Sequence, residues 1–274
     1  MRRNQYQHAK LEEIVNHNDN FKTFRFENIP FKSQPGQFAM VWIPGMDEKP
    51  ISLSGKKQIT VKKVGPFTER LFEKQKGDYL DIRGPYGNGF PSNKKNVVLI
   101  GGGCGLAPLM YSFSDYMQRS HIVSDTKISF VFAAKTESEL LFLDDVQKEL
   151  ERRYGSDYPL FGINVTTFTE DGSHGDKGFV DSIELPKGED YFICGPEVMM
   201  YNVAEDLISL GTDPSHIHLS MERYMKCAMG ICGNCSFDGY RVCADGPVLT
   251  YDKVMKSPHF NKMHRTRTGE LTEK

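Results

Sequence analysis

Four cysteines close to the C-terminus constrain this chain more than any other feature of its sequence. They are separated by four, two and seven residues, the spacing C-x4-C-x2-C-x7-C. Three ligands in one short loop and a fourth soon after are typical of a plant-type 2Fe–2S site, in which thiolates hold two irons. Gly230 and Gly233 lie inside this loop and allow turns that direct amides towards the sulfur atoms. The expected metal ligands are Cys227, Cys232, Cys235 and Cys243.

Two other uses of these cysteines stay open on spacing alone. A structural zinc ion also takes four thiolates, but its ligands usually come as two short C-x2-4-C pairs. Disulfide bonds would need an oxidising compartment. The chain begins Met1-Arg2-Arg3 and lacks the apolar stretch of a secretory signal. We therefore expect a cytoplasmic protein whose six cysteines are reduced thiols.

The overall composition is that of an ordinary globular protein. Its 274 residues predict about two domains and an appendage. A net charge of −2 provides no basic field for nucleic acid or an anionic membrane, so neither is an expected partner. The longest apolar run, 97–110, is interrupted by glycines, and we expect no membrane span. The eight histidines show no ligand or catalytic-triad spacing and are predicted at the surface or in loops.

The first part of the chain, 1–92, alternates apolar and polar side chains in short segments between Gly and Pro turns. Six such segments predict a small antiparallel barrel. They are 11–15, 21–26, 38–43, 50–54, 59–64 and 79–83. A helix is predicted over 68–74, with Thr68 as its cap and nearby amides free for an anion.

The second part, 93–215, changes to alternating strands and helices, which predicts a parallel sheet with right-handed crossovers. The expected strands are 96–100, 127–134, 164–168 and 191–194, and the expected helices are 109–119, 143–154, 179–183 and 196–210. A glycine turn, 101–105, follows the first strand at the position where such sheets bind nucleotides. The second strand ends at Ala134 without an acid for a ribose hydroxyl, which leaves NAD against NADP open.

The third part, 216–255, contains the cysteine loop. A strand over 217–221 is predicted to form the edge of the sheet and to lead into that loop. The polar, basic tail, 256–274, is predicted to be loosely ordered or to dock on a partner.

Several segments together resemble the ferredoxin reductase superfamily. They are Pro35-Gly36-Gln37-Phe38, Lys49-Pro50-Ile51-Ser52, Gly65-Pro66-Phe67-Thr68, Gly84-Pro85-Tyr86-Gly87, Gly103-x-Gly105-x-x-Pro108 and Cys194-Gly195-Pro196-x-x-Met199. The resemblance implies an FAD-binding barrel followed by a nicotinamide-binding domain. It implies flavin contacts for Lys49, Pro50, Ile51, Ser52, Thr60, Val61, Lys62, Phe67 and Thr68. It implies nicotinamide contacts for Gly103, Gly105 and Pro108, with Cys194 as the catalytic residue.

With the cysteine loop added, the whole order resembles the electron-transfer subunits of B-type dihydroorotate dehydrogenases, in their archaeal form. That resemblance implies an α/β plus β protein with a barrel, a Rossmann-like sheet and a cluster module. Electrons would pass from the FMN of a separate catalytic subunit through a 2Fe–2S cluster and FAD to NAD(P), in a heterotetramer of two plus two, for pyrimidine biosynthesis.

Two departures and two competing functions accompany this resemblance. The family usually has arginine where this chain has Lys49, and lysine lacks the bidentate fork. It usually has glycine where this chain has Ala228, a replacement that should be tolerated if φ is negative at that alanine. The same layout also resembles the diaphorase subunits of sulfhydrogenases and anaerobic sulfite reductases. A zinc-stabilised binding module without redox activity is the other alternative.

Overall fold

The computed structural model describes residues 4–29, 31–119, 126–180, 185–265 and 271–273, with the main chain alone for 263–265 and 271. The strands are β1 Gln7–Asn18, β2 Phe21–Phe26, β3 Phe38–Trp42, β4 Lys49–Gly55, β5 Gln58–Lys62, β6 Tyr79–Tyr86, β7 Asn96–Gly102, β8 Lys127–Ala134, β9 Ile163–Thr169, β10 Asp176–Lys177, β11 Asp190–Cys194, β12 Ile217–Ser220, β13 Ser236–Phe237, β14 Tyr240–Arg241, β15 Val248–Thr250, β16 Met263–Arg265 and β17 Leu271–Glu273. The α-helices are α1 Pro66–Phe72, α2 Leu106–Arg119, α3 Leu143–Tyr154, α4 Glu197–Ser209, α5 Val242–Asp245 and α6 Tyr251–Val254.

The first six strands close into an antiparallel barrel in the order β1-β2-β5-β4-β3-β6, as the alternation predicts. Apolar side chains such as Phe24, Leu53 and Ile59 point inwards and are almost fully buried. The predicted helix is present as α1, and Gly65 and Pro66 begin it. Thr68 is therefore not the N-cap residue of α1. It lies in the first turn, and its hydroxyl accepts hydrogen bonds from the amides of Val64 and Gly65 at 2.8 and 3.0 Å.

The nucleotide-binding type of sheet follows, in the order β10-β9-β8-β7-β11-β12-β15. Strand β7 lies in its middle, and Val97 to Ile100 are fully buried, as expected for a parallel strand covered on both faces. The chain order reverses between β7 and β11, so their carboxyl ends form the crevice in which such sheets bind ligands. Helix α2 joins sheet and barrel: Tyr111 packs in the barrel core and donates to the carbonyl of Ser33 at 2.8 Å.

The C-terminal part differs from two expectations. Strand β12 is not the edge, because β15 pairs with it antiparallel and covers it. The sheet therefore continues across the boundary predicted at 215. The described part of the tail is also more ordered than expected, because Phe260 is buried against Tyr201, Phe237 and Tyr251 and β16 pairs with β17. A three-residue strand is too short to be recognised from its pattern, which explains the first difference.

One of the predicted surface histidines is in fact buried. His218 lies on β12 and contacts the carboxylate of Asp190 at 3.1 Å. His121 and most of the helix predicted over 179–183 lie outside the described residues. In the part of the chain that the structure describes, no helix has the length and apolar character needed to cross a membrane.

Candidate functional site

The cysteine loop turns its main-chain amides towards its own sulfur atoms. The amides of Met229 and Cys232 lie 3.4 and 3.5 Å from the sulfur of Cys227. Burial alone would raise the pKa of Cys227, but these donors, together with the amide of Ile231, lower it to about 6. The thiolate is the form that binds metal, so this loop prepares its first cysteine as a ligand.

Two of the other sulfur atoms also accept hydrogen bonds from main-chain amides. The amide of Gly230 donates to Cys243 at 3.2 Å, and the amide of Cys243 donates to Cys235 at 3.4 Å. Burial, followed by a hydrogen bond with Cys235, raises the pKa of Cys243 to about 12.

The four thiols form two pairs. Cys227 and Cys232 hydrogen-bond each other, and Cys235 and Cys243 do the same. Over the described ranges, no three His, Cys, Asp or Glu side chains are placed to hold a single metal ion. Two neighbouring pairs are the arrangement that two irons with two thiolates each require. The residues present therefore fit a binuclear cluster.

One pair lies at the surface and the other inside. Cys232 is exposed, and the adjacent Ile231 is 78% exposed, whereas Cys235 and Cys243 are buried. Met229 is also exposed, so two apolar side chains near Cys232 are accessible to solvent.

The turn that opens the loop does not meet the condition set for an alanine at this position. Ala228 has a φ of +60°, not a negative one. The left-handed conformation brings a side chain close to the following carbonyl oxygen and is costly for alanine. The Ala228 methyl group is nevertheless buried in the core around the cysteine loop, and this contact offsets part of the cost.

A buried arginine fastens the loop to the barrel, and no motif of the sequence points to it. Arg83, on β6, forms a bidentate pair with Glu48. The same guanidinium donates to the carbonyl oxygens of Lys226 and Cys227 at 3.3 and 3.0 Å. It also donates to the hydroxyl of Tyr86 at 2.7 Å. Strand alternation assigns Arg83 to the outer face of the barrel, and only the fold reveals that the cysteine loop covers this face.

Strand β4 carries four of the residues predicted to contact flavin, with Ile51 packed against the barrel core and Pro50 and Ser52 on the outer face. Lys49, Pro50, Ile51 and Ser52 are all half-buried, while the next two residues of the strand are buried. The ammonium of Lys49 lies 5.8 Å from the ring centre of Tyr224, immediately before the cysteine loop. The start of β4 therefore lies next to the loop.

The other residues predicted to contact flavin have their side chains committed elsewhere. The hydroxyl of Thr60 forms buried hydrogen bonds with Thr23 and Ser54 at 2.7 and 2.8 Å. Val61 and Phe67 are buried in the barrel core. Any contact of Thr60 or Val61 with a cofactor would have to come from the main chain, whereas Lys62 is half-exposed.

Two loops meet at the carboxyl ends of β7 and β11. Gly103 adopts a φ of +53°, while Gly105 is required for a different reason. A Cβ atom at Gly105 would lie 2.1 Å from the carbonyl oxygen of Cys194. Pro108 is buried in the first turn of α2. The glycine turn and the Cys194 loop are thus in direct main-chain contact.

Cysteine side chains join this crevice to the barrel. The sulfur of Cys104 hydrogen-bonds the main chain of Lys62, and burial raises the pKa of Cys104 to about 11. Cys194 is buried and hydrogen-bonds Ser220, and burial also raises its pKa. Both thiols are therefore neutral near pH 7, which suits Cys194 to packing and hydrogen bonding rather than nucleophilic attack.

A carboxylate that the sequence analysis missed faces the same crevice. Glu222 is accessible to solvent, yet burial is the main cause that raises its pKa, followed by the charge of Glu197. The two properties agree if the carboxyl sits in a cleft that water enters but protein surrounds. Its charge also acts on Cys104 and Cys194, so the three groups lie close together.

Comparison with known proteins also separates a nicotinamide-binding region from the region of the cysteine loop. Residues 99–205 match the family profile of the oxidoreductase NAD-binding domain. Residues 222–255 match the iron–sulfur cluster binding domain of dihydroorotate dehydrogenase B. Among solved structures, an NADH-dependent reduced ferredoxin-NADP oxidoreductase studied for flavin-based electron bifurcation is similar, with a TM-score of 0.71, 24% identity and coverage of 91% of this chain and 92% of that one. The FAD/NAD-binding domain of a nitric oxide dioxygenase from Vibrio cholerae has a TM-score of 0.66, 20% identity and coverage of 78% and 97%.

A curated relative matches almost the whole chain. A protein of Pyrococcus horikoshii named "Probable dihydroorotate dehydrogenase B (NAD(+)), electron transfer subunit" is 40% identical over 256 residues, which cover 92% of each chain. A second, from Methanocaldococcus jannaschii and of the same name, is 36% identical and covers 96% of each chain. The chain therefore belongs to the family of electron transfer subunits of NAD-linked dihydroorotate dehydrogenase B.

Proposed function

We propose that this chain carries electrons from the FMN of a dihydroorotate-oxidising catalytic subunit to NAD+, through a 2Fe–2S cluster and FAD. One observation carries the proposal: the cysteine loop, the outer face of β4 and the nicotinamide-type crevice adjoin one another. Arg83 links the loop to the barrel, and Cys104 links the crevice to β5. When bound, a flavin can exchange single electrons with an iron–sulfur centre and hydride with nicotinamide.

Four thiolates would hold the cluster. Cys227 and Cys232 would bind one iron, and Cys235 and Cys243 the other, as their hydrogen-bonded pairs suggest. The amides of Met229, Cys232, Gly230 and Cys243 would remain on the sulfurs and help set the cluster potential.

The flavin would lie along the half-buried face of β4. Ser52 would stand near the ring, with Pro50 and Ile51 beside it, and Thr68 would act at the pyrophosphate through the turn that it already organises. Lys49 is held towards Tyr224, so we propose that it acts at the border between the flavin and the cysteine loop.

The nicotinamide would enter between the two loops of the crevice. Gly103, Gly105 and Pro108 would shape its binding surface, and Cys194 would border the ring as a neutral thiol. Glu222 would border the same cleft, where burial and then the charge of Glu197 raise its pKa. We propose NAD rather than NADP, in line with the names of the relatives.

The exposed end of the loop would be the contact with the catalytic subunit. Ile231 and Met229 are exposed beside Cys232, and an apolar partner surface would cover them while bringing its own flavin near the cluster. We propose two copies of each subunit, in the cytoplasm. All six cysteines are free thiols, which suits a reducing compartment.

Co-purification of the tagged chain from its native host tests the partner. The expected result is an FMN-containing subunit in equal amount, and a complex that reduces NAD+ with dihydroorotate. A hydrogenase or a sulfite reductase in its place would replace this proposal with the diaphorase function. Ile231→Asp should weaken the complex while the isolated subunit still oxidises NADH with an artificial acceptor.

A further inference from the structure

Every donor of the buried Arg83 guanidinium has an acceptor. Two N–H groups bind the carboxylate of Glu48, one binds Tyr86, and the other two bind the carbonyl oxygens of Lys226 and Cys227. Arginine has five N–H donors in a rigid plane, so this inventory is complete. The side chain of Arg83 is 7% exposed, and Tyr6 donates to the same carboxylate and lies across the guanidinium.

The two carbonyls belong to consecutive peptide planes at the start of the cysteine loop. A peptide unit is planar and nearly rigid, so fixing both oxygens fixes the planes on either side of Cys227. The second of these planes leads directly into Ala228, whose φ of +60° is costly for a residue with a Cβ. Backbone conformations of this kind persist where surrounding contacts determine them.

A gain in folding stability alone does not explain why Arg83 and Glu48 form this ion pair. Burying two charges costs about as much as their attraction returns, so buried ion pairs add little to folding free energy. What a fixed fork adds is geometry, because it sets the positions of both acceptors at once. Lysine would keep the charge but offers a single point donor group.

We propose that Arg83 is a positioning residue for the iron–sulfur cluster: anchored by Glu48, it holds the left-handed turn at Ala228 and thereby presents Cys227 to the metal. The clamp also fixes the cysteine loop against the barrel, next to the flavin face of β4. The inference rests on the cluster and not on the identity of the partner, so a failed search for the dihydroorotate-oxidising subunit would leave it standing.

Arg83→Lys in the purified holoprotein provides the main test. Support for a metal ligand from outside the coordination shell is commonly worth 10–100-fold, so we expect iron to be lost to a chelator about tenfold faster than from the wild type. The EPR signal of the reduced cluster should broaden, because Cys227 samples more than one position. FAD content should not change. Arg25→Lys is the matched control, because Arg25 pairs with Glu13 on the exposed side of the same barrel, and it should leave iron release unchanged.

The Ala228→Gly background tests the proposed route. Glycine adopts a positive φ without external support, so the effect of Arg83→Lys on iron release should be several-fold smaller there, a non-additive result. Unchanged iron release and EPR in Arg83→Lys would overturn the proposal. An equal effect in both backgrounds, or a parallel loss of FAD, would overturn it too by showing general support of the fold. If Arg83→Lys does not fold, Glu48→Gln weakens the clamp from its other side and is judged by the same measurements.

Discussion

The glycine turn of the nicotinamide crevice and the cysteine loop both depend on glycine, but for different physical reasons. At Gly105 the limit is space, since a Cβ would lie 2.1 Å from the Cys194 carbonyl oxygen. At Gly233 the limit is conformation, since its φ is +74° while a Cβ added there would meet no atom of the described residues within 4 Å, its chain neighbours aside. The first loop is defined by what it touches, and the second by the directions of its own backbone.

This difference suits what each loop has to hold. A nicotinamide ring needs a flat, fixed crevice, which two loops in main-chain contact provide. A cluster needs amides that point at sulfur from several sides, which a succession of positive-φ residues provides. The cysteine loop touches little of the fold at its exposed end, so it needs an external anchor such as Arg83.

The largest effect is expected from removing one ligand of the cysteine loop. Cys235→Ser should lower the iron content from about two atoms per chain to near zero and abolish the EPR signal of the reduced protein. Cys194→Ser, the corresponding change in the nicotinamide crevice, should retain the iron. Iron analysis and EPR of both variants check this, and iron retained in Cys235→Ser would show that this thiol is not a ligand.

The next largest effect is expected at Gly105 and tests whether steric contact, rather than a positive φ, excludes a side chain there. Gly105→Ala should cost about 2–3 kcal/mol of unfolding free energy, as overpacking does, and should weaken NADH binding. Gly103→Ala is the control in the same turn and should cost only about 1 kcal/mol. Gly103 has a positive φ, but a Cβ added there would meet no described residue within 4 Å beyond its chain neighbours. Urea unfolding and NADH titration give both values. Equal costs for the two variants would mean that proximity is not the limit at Gly105.

The sequence predicted strands and helices well where the hydrophobic pattern of the segment itself is sufficient. The buried run Val97 to Ile100 and the amphipathic α3 have the predicted type and nearly the predicted bounds. The cysteine spacing likewise indicated that the four thiols lie together, because the ligands of one loop are close in sequence.

The sequence could not predict contacts that depend on distant segments. In β6 the alternation of Leu80 and Ile82 with Asp81 and Arg83 indicates an inner and an outer face, and alternation alone predicts that the outer face is exposed to solvent. Both polar residues are buried. The cysteine loop, 144 positions further along, covers Arg83, and Asp81 contacts His8 on β1. Glu222 was missed for the same reason, since nothing local marks it as facing Cys104.

An intermediate loss of stability is expected at low pH, through a buried carboxylate at the end of the sheet opposite the nicotinamide crevice. Asp190 begins β11, the strand that ends at Cys194, and contacts Lys94 at 2.9 Å and His218 at 3.1 Å. Burial alone would raise the pKa of Asp190, but hydrogen bonds from Lys94 and His218 lower it below its usual value. The stability that it contributes is therefore present above the unfolded-state pKa of about 3.9 and is lost as pH falls through the folded-state value. Burial lowers the pKa of His218.

For His218 the unfolded state takes up the proton first, so stability should begin to fall below about pH 6.5. His218→Gln removes this titration, and its free energy of unfolding should change less between pH 6.5 and 5 than that of the wild type. His174→Gln, at an exposed pair with Glu137, is the control and should follow the wild type. An unchanged pH profile in His218→Gln would place the acid sensitivity elsewhere, for example in the cysteine loop.

The smallest effect is expected at Ala228, where three contributions nearly cancel. Ala228→Gly removes about 1–2 kcal/mol of left-handed strain. It also loses about 0.8 kcal/mol from the buried methyl group and adds about 0.5–1 kcal/mol of backbone entropy to the unfolded chain. The free energy of unfolding of the holoprotein should therefore change by less than about 0.5 kcal/mol, measured by urea unfolding under anaerobic conditions.

Gly233→Ala completes the comparison, because it introduces alanine at a similar φ, +74°, without the buried contact of Ala228. It should destabilise the holoprotein by about 1 kcal/mol, the strain less the entropy gained. The difference between the two changes in unfolding free energy then measures how much burial of the Ala228 methyl group stabilises the protein. A clear gain in stability for Ala228→Gly would show that this methyl group contributes nothing, and that Arg83 alone carries the strain at the start of the loop.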